Sequence, residues 1–294
     1  MVKAAGRVVG WALGLALILP GMDAGAANLD SVRAQAEASL LVQGEIDIEP
    51  DGHVSKVSID REERLTPALV NFVRDQALHW KFAPIMIDGQ AVLARSPMSL
   101  RLVARPAQDG NFQLRLASAD FSGRAGSGRG DVRKGLMRPP AYPTELAVRG
   151  VAATVYLVLK ISRDGNVADS VVEQVNLRAI GSEEQMAEFR QLFANSSISA
   201  AKRWRFFVPT EGPDKDEAYW SVRVPVNYQF EDEPDESQSS SYGRWFSYIP
   251  GPRTRAAWMQ AAEPAGFSPD ALPAGGLFLV GDRGPKLLTP VQGG

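Results

Sequence analysis

The sequence predicts an α+β protein of two ββαβ units, each a three-stranded antiparallel sheet with one helix packed on one face. Three repeated features predict it. An apolar alternating run meets an Asp-Gly turn and resumes as a second strand, once at Asp51-Gly52 and again at Asp164-Gly165. A Trp-basic-Phe ending follows each, as Trp80-Lys81-Phe82 and Trp204-Arg205-Phe206. Each copy then closes on a run of period two.

The elements follow in order. Gly52 and Gly165 supply the positive φ that a tight hairpin turn needs. The second arms are Val54 to Ile59 and Val167 to Val175. In the first copy Thr66 is an N-cap with Pro67 at the first helical position, and Leu69, Val73, Ala77 and Trp80 share one helix face. In the second copy Phe193, Ala200 and Trp204 do the same. The Asp-Gly turns lie 113 positions apart and the tryptophans 124, so the second copy has an insertion, read as extra helix over 182–192. Trp80, Phe82, Trp204 and Phe206 are read as core residues that pin helix to sheet.

The closing strands are Met98 to Ala104 and Trp220 to Phe230, with one face apolar and the other expected to meet water. Pro225 has no N–H to give a ladder, which places Trp220–Phe230 at a sheet edge with Arg223 pointing outward. Phe112, Leu114 and Leu116 mark a further strand.

Composition divides the rest of the chain. Residues 1–26 read as a signal peptide: Lys3 and Arg7, an apolar stretch Val8 to Leu19, then Ala24-Gly25-Ala26 before a cut at Ala27. Twelve apolar residues span about 18 Å as helix, short of a ~30 Å bilayer core. The reading is a cleaved segment and periplasmic residence, with inner-membrane anchoring as the alternative. A first domain covers 27–117, a Gly-rich flexible linker 118–137, and a second domain 138–232. The tail, 233–294, is Pro/Gly-rich and expected to be partly irregular. Within it, Arg253 to Ala262 suggests a short helix and Leu277 to Val280 a strand. The aromatic cluster Tyr242, Trp245, Phe246 and Tyr248 is read as docking the tail onto the preceding domain.

Composition also excludes function classes. The 294 residues carry 32 Lys+Arg against 34 Asp+Glu, no global excess to drive nucleic-acid binding. Cysteine is absent, so thiolate metal sites and cysteine nucleophiles are excluded. His53 and His79 are the two histidines, and neither reads as catalytic. Asp47, Glu49 and Asp51 form the nearest carboxylate cluster, read as solvated strand and turn charge. No phosphate loop, H-E-x-x-H or G-x-S-x-G occurs. The expectation is a non-enzyme without cofactor or metal.

The second copy resembles the C-terminal domain of the TonB family. The matching residues are Pro140-Ala141-Tyr142-Pro143, Arg149-Gly150, Asp164-Gly165-Asn166-Val167, Trp204-Arg205-Phe206 and Val222-Arg223-Val224-Pro225-Val226. The first copy is a diverged relative that lacks the Tyr-Pro segment. The resemblance implies a protein-interaction module that captures an extended segment of an envelope or outer-membrane transport protein by adding it as a strand. Carried over residue by residue, the partner-binding positions are Arg138, Pro140, Tyr142, Pro143, Arg223, Pro225, Asn227 and Gln229. The alternative is a membrane-anchored energy transducer, against which stand a histidine-free residue 1–26 segment and the lack of a long Pro-rich rod. Free sheet edges would also allow a homodimer.

Overall fold

A computed structural model describes residues 37–106, 112–123, 125, 126, 128–230, 242–259, 263, 264, 266–281 and 284–291. The segment read as a signal peptide and the acidic run 231–241 lie outside the described residues.

The protein is mixed α+β, with antiparallel sheets and few helices. In the first sheet β1 (Glu37–Ile48) pairs along its length with β5 (Ala94–Pro106), and β6 (Phe112–Asp120) lies beyond β5. The other side of β1 is shared: β2 (Val54–Ile59) takes Gly44 to Ile48, and β12 (Phe246–Tyr248) takes Glu37 to Ser39. A separate small hairpin joins β3 (Met86–Ile87) to β4 (Gln90–Ala91). In the second sheet the order is β13 (Phe278–Leu279), β11 (Tyr219–Tyr228), β8 (Ala153–Ser162), β9 (Val167–Leu177). The sheets thus have five and four strands rather than three, because β6 and two tail strands join them.

Helix α1 (Pro67–Leu78) starts where its cap requires. Thr66 Oγ1 accepts the Leu69 N–H at 3.4 Å, and Pro67 fills a position that has no intrahelical donor to lose. Its buried Leu69, Val70, Val73 and Ala77 share one core with Leu40, Val42, Ile46, Leu100 and Leu102. After a one-turn helix α2 (Thr144–Val148), α3 (Glu183–Ala201) begins with a capping box between Ser182 and Gln185. Met186, Phe189 and Phe193 of α3 pack with Val155, Leu157, Leu159 and Val222 of the second sheet.

The two Asp-Gly turns dock alike. Gly52 has φ 91° and Gly165 φ 77°. Phe82 N–H donates to Gly52 C=O at 2.8 Å, and Phe206 N–H to Gly165 C=O at 2.9 Å. Trp80, Phe82, Trp204 and Phe206 are all buried. Short strands β7 (Arg133–Lys134) and β10 (Phe206–Phe207) pair beside the second turn.

Three expectations are corrected. First, the faces opposite the helices do not meet water. Ser99, Arg101 and Ser118 of the first sheet are buried, as are Tyr156, Val158, Glu173 and Arg223 of the second. Alternation shows which residues share a face, and the tail supplies the cover. Ser99 Oγ donates to Ala271 C=O at 2.6 Å and Arg101 Nε to Asp270 C=O at 2.8 Å. Ser118 Oγ and Tyr248 OH both donate to the Asp270 carboxylate. On the second sheet Val158 packs with Ala256 and Met259.

Second, residues 118–137 are not a free linker. β6 runs to Asp120, Val132 is fully buried in the second core, and Ala125 N–H donates to Leu277 C=O at 2.7 Å. Glycine permits tight turns as readily as it permits flexibility, and composition does not separate the two. Third, the described residues of 253–262 form no helix, while Phe278–Leu279 does form a strand.

The tail alternates between sheets. Tyr242 enters the first core and β12 joins β1. Ile249 exchanges both backbone hydrogen bonds with Leu177 of β9. Gly266 C=O then accepts from Ala119 of β6, β13 joins β11, and Leu287 bridges to Phe82. Tail residues thus reach β1 and β6 of the first sheet and β9 and β11 of the second.

Candidate functional site

An open groove of about 470 Å³ runs beside the second half of β11. Its walls are the lead-in segment Lys134 to Tyr142, strand positions Val224 to Gln229, and the tail turn Ala274 to Gly276, with Trp204 lining it as well. Arg138, Pro140, Tyr142, Pro225, Asn227 and Gln229 all line it, six of the eight positions chosen from sequence.

The lead-in segment is held by its backbone. Trp204 Nε1 donates to Arg138 C=O at 2.7 Å, and Arg205 N–H to Leu136 C=O at 2.9 Å. Ser196 Oγ donates to Ala141 C=O. Pro139 and Pro140 have no N–H, so an extended stretch here leaves few donors to satisfy. Tyr142 locks the far end. Its OH donates to Val151 C=O at 2.7 Å, and its ring meets Phe193, Tyr228 and Phe230 at centroid distances of 5.8, 5.6 and 5.2 Å. Burial pushes the Tyr228 hydroxyl above its ordinary pKa, partly countered by its hydrogen bonds to Ser196 and Ser197.

Pro225 sits opposite Tyr156 without interrupting the β8–β11 ladder. Its C=O accepts Gly275 N–H at 3.2 Å, so its carbonyl and its N face away from β8. The missing donor therefore falls on the outer side of β11, where proline is tolerated. β13 pairs with Val222 and Arg223, Gly275 reaches Pro225, and the groove follows the strand from there. Lys134 Nζ donates to Gly275 C=O and ties the tail turn to the lead-in segment.

Two chosen positions lie elsewhere. Pro143 is the N-cap of α2 and does not line the groove. Arg223 was expected to point outward and is buried. Its guanidinium makes a bidentate pair with Glu173 at 2.7 and 3.1 Å, and it also donates to Glu263. The cause lies in β9. Glu173 is the extra residue of a bulge, since Tyr156 pairs with Gln174 and Leu157 with Val172. The bulge turns a carboxylate under β8 toward Arg223, and its C=O takes Thr254 N–H from the tail. Arg253 adds a third hydrogen bond to Glu173 at 2.9 Å, and Phe267 lies under both arginines. Burial raises the Glu173 carboxyl pKa, but the hydrogen bonds and charges of Arg223 and Arg253 more than offset this and hold it below the ordinary value.

Sequence reasoning missed Lys134, Met137 and the tail turn as walls. Gly275-Gly276 was the available signal for a turn, but nothing in the sequence says which strand it meets. Asp120 is also buried, which raises its carboxyl pKa, while the other ion pairs among the described residues lie at the surface. Asp47 pairs with Arg95 at 2.7 Å and Asp51 with His53 at 2.8 Å. Among the described residues no group of three His, Cys, Asp or Glu is placed to hold a metal ion. Nor is any helix there long and apolar enough to cross a membrane.

No family model matches the chain, and no curated protein matches it. Among solved structures it is similar to the solution NMR structure of the Pseudomonas aeruginosa TonB CTD, at 20% identity over 35% of this chain and 90% of that one. The TM-score is 0.25, too low to carry fold or function across.

Proposed function

We propose that this protein is a binding module that captures an extended segment of another protein in the groove beside β11, by strand addition. One observation carries the reading. Six positions chosen from sequence, far apart in the chain, converge on a single groove that follows a strand edge. A groove with one strand-edge wall and aromatic and proline walls suits an extended backbone, with hydrogen bonds on one side and apolar contact on the other. The residue-level resemblance to TonB C-terminal domains agrees with this reading. It extends the proposal to a partner among envelope or outer-membrane transport proteins, and to residues 37–120 as a diverged copy. With residues 1–26 as a cleaved signal, the module works in the periplasm.

Amide NMR of the full chain, titrated with short alternating Val/Thr peptides, tests the binding mode. Shifts confined to Val226–Gln229, Met137–Tyr142 and Ala274–Gly276 are expected. Absence of shifts at millimolar peptide, or shifts elsewhere, rejects it. The mass of the periplasmic protein tests the address: a start at Ala27 is expected, and a membrane-bound species retaining Met1 rejects it.

A further inference from the structure

We propose that a single chloride ion sits between Arg101 and Arg178, in a small cavity at the seam of the two sheets, and clamps one sheet to the other. The proposal is independent of the capture reading.

The cavity measures about 10 Å³, room for one water-sized particle. Ser39 and Arg101 reach it from the first sheet, and Thr154, Tyr156, Asn176 and Arg178 from the second. Strand β12 holds both cations. Its Phe246 ring lies 5.1 Å from the Arg178 guanidinium, and its Tyr248 ring 6.0 Å from that of Arg101. Side chains two apart on a strand point the same way and lie about 7 Å apart. The two guanidinium groups are therefore set side by side at a spacing that one ion can bridge. The groups left over are donors. Ser39 Oγ accepts from Arg101 at 3.3 Å, which leaves its O–H to give. Asn176 spends its oxygen on Gly251 N–H at 3.2 Å, which leaves its NH2. Arg178 reaches Asn227 Oδ1 at 3.5 Å and has no carboxylate partner among the described residues. Asp270 gives Arg101 its backbone C=O and commits its carboxylate to Ser118 and Tyr248. None of the residues that line the cavity is Asp or Glu. Like charges in a poorly solvated seam repel, and a water molecule brings no charge to offset them. A monatomic anion does, and it accepts from every side. The space is too small for a phosphate or a carboxylate.

The test uses the full chain with sodium chloride, sodium gluconate, sodium phosphate and sodium bromide. Replacing gluconate by chloride at a fixed ionic strength of about 0.15 M should raise the thermal midpoint by roughly 2–4 °C and then saturate. The protein should also broaden the chlorine NMR line of chloride. Arg178→Gln should cut both effects about threefold or more. Equal effects in the two proteins would overturn the proposal. Crystals grown in bromide need no variant, so they decide the matter even if Arg178→Gln does not fold. Their anomalous signal should place one ion between the two guanidinium groups, and a signal only elsewhere would overturn the proposal. Phosphate that matches chloride in midpoint and displaces it from the protein would assign the space to an oxyanion, which also overturns it. The chain's own acidic run is the rival occupant. A chloride response absent from the wild-type chain that emerges when Glu231, Asp232, Glu233, Asp235 and Glu236 are changed to their amides would give the seat to that run and overturn the proposal.

Discussion

Gly52 and Gly165 each hold a hairpin turn against the backbone of a distant phenylalanine. A Cβ built at Gly52 would lie 2.0 Å from Phe82 O, and at Gly165 2.1 Å from Phe206 O. Both also have positive φ. Gly52→Ala and Gly165→Ala should each cost about 2 kcal/mol or more, read by denaturant unfolding. A loss within a few tenths of a kcal/mol would show that the turn moves away without penalty. Glu173 sets a pH dependence. Its carboxyl pKa is lower folded than its ordinary value of 4.5, so its contribution to stability is complete above that value. The contribution is lost as pH falls through the depressed folded pKa. Glu173→Gln should flatten this acid limb, and an unchanged limb would place the titration elsewhere. Truncating Arg223 to Met leaves a buried carboxylate with one arginine fewer, and should cost about 3–5 kcal/mol. These roles divide by legibility. The glycines were readable because an Asp-Gly turn is a local signal. The burial of Arg223 was not, because it depends on a bulge in a strand that is not its neighbour and on tail residues that follow it.

Among elements, the helices were the most legible, because their starts are written in adjacent residues. Ser182 caps α3 from both sides, whereas Thr66 holds α1 through one longer hydrogen bond. Ser182→Ala should therefore cost about 1 kcal/mol and Thr66→Ala less, measured by thermal unfolding. Equal losses would mean that packing, not capping, fixes both ends. The strands were legible in place but not in number. β12 and β13 have three and two residues, too short to show a period. Around them Ala256 and Leu287 are buried singly, while 248–249, 269–273 and 276–278 are buried in short runs. A segment that anchors short, unevenly spaced groups of side chains leaves no repeat in its sequence and reads as disordered composition. The groove was half legible for the same reason: the lead-in and β11 walls come from residues with recognisable spacing, and the third wall comes from the tail.

At the scale of the whole molecule, the tail makes the two sheets one structure. It covers their second faces with polar groups already paired, as where Asp270 accepts from Ser118 and Tyr248. Cutting the chain at a protease site placed within 231–241 should leave 242–294 bound, and the pieces should co-elute under native conditions. Separation on a sizing column would mean that the tail is held by connection rather than by contact. Deleting 242–294 should instead uncover the outer strands and raise self-association in sedimentation, and an unchanged monomer would count against edge protection by the tail. The tail's position also orders events in time. Residues 242–291 follow every other described strand in the chain, yet both sheets are finished only when they arrive. At about 5–20 residues per second, a ribosome leaves the earlier strands waiting for roughly 3–10 s, far longer than a hairpin needs to form. Over that interval the nascent protein is an unfinished sheet pair. A delay of that kind gives the earlier strands time to pair among themselves, and completes the architecture only at release.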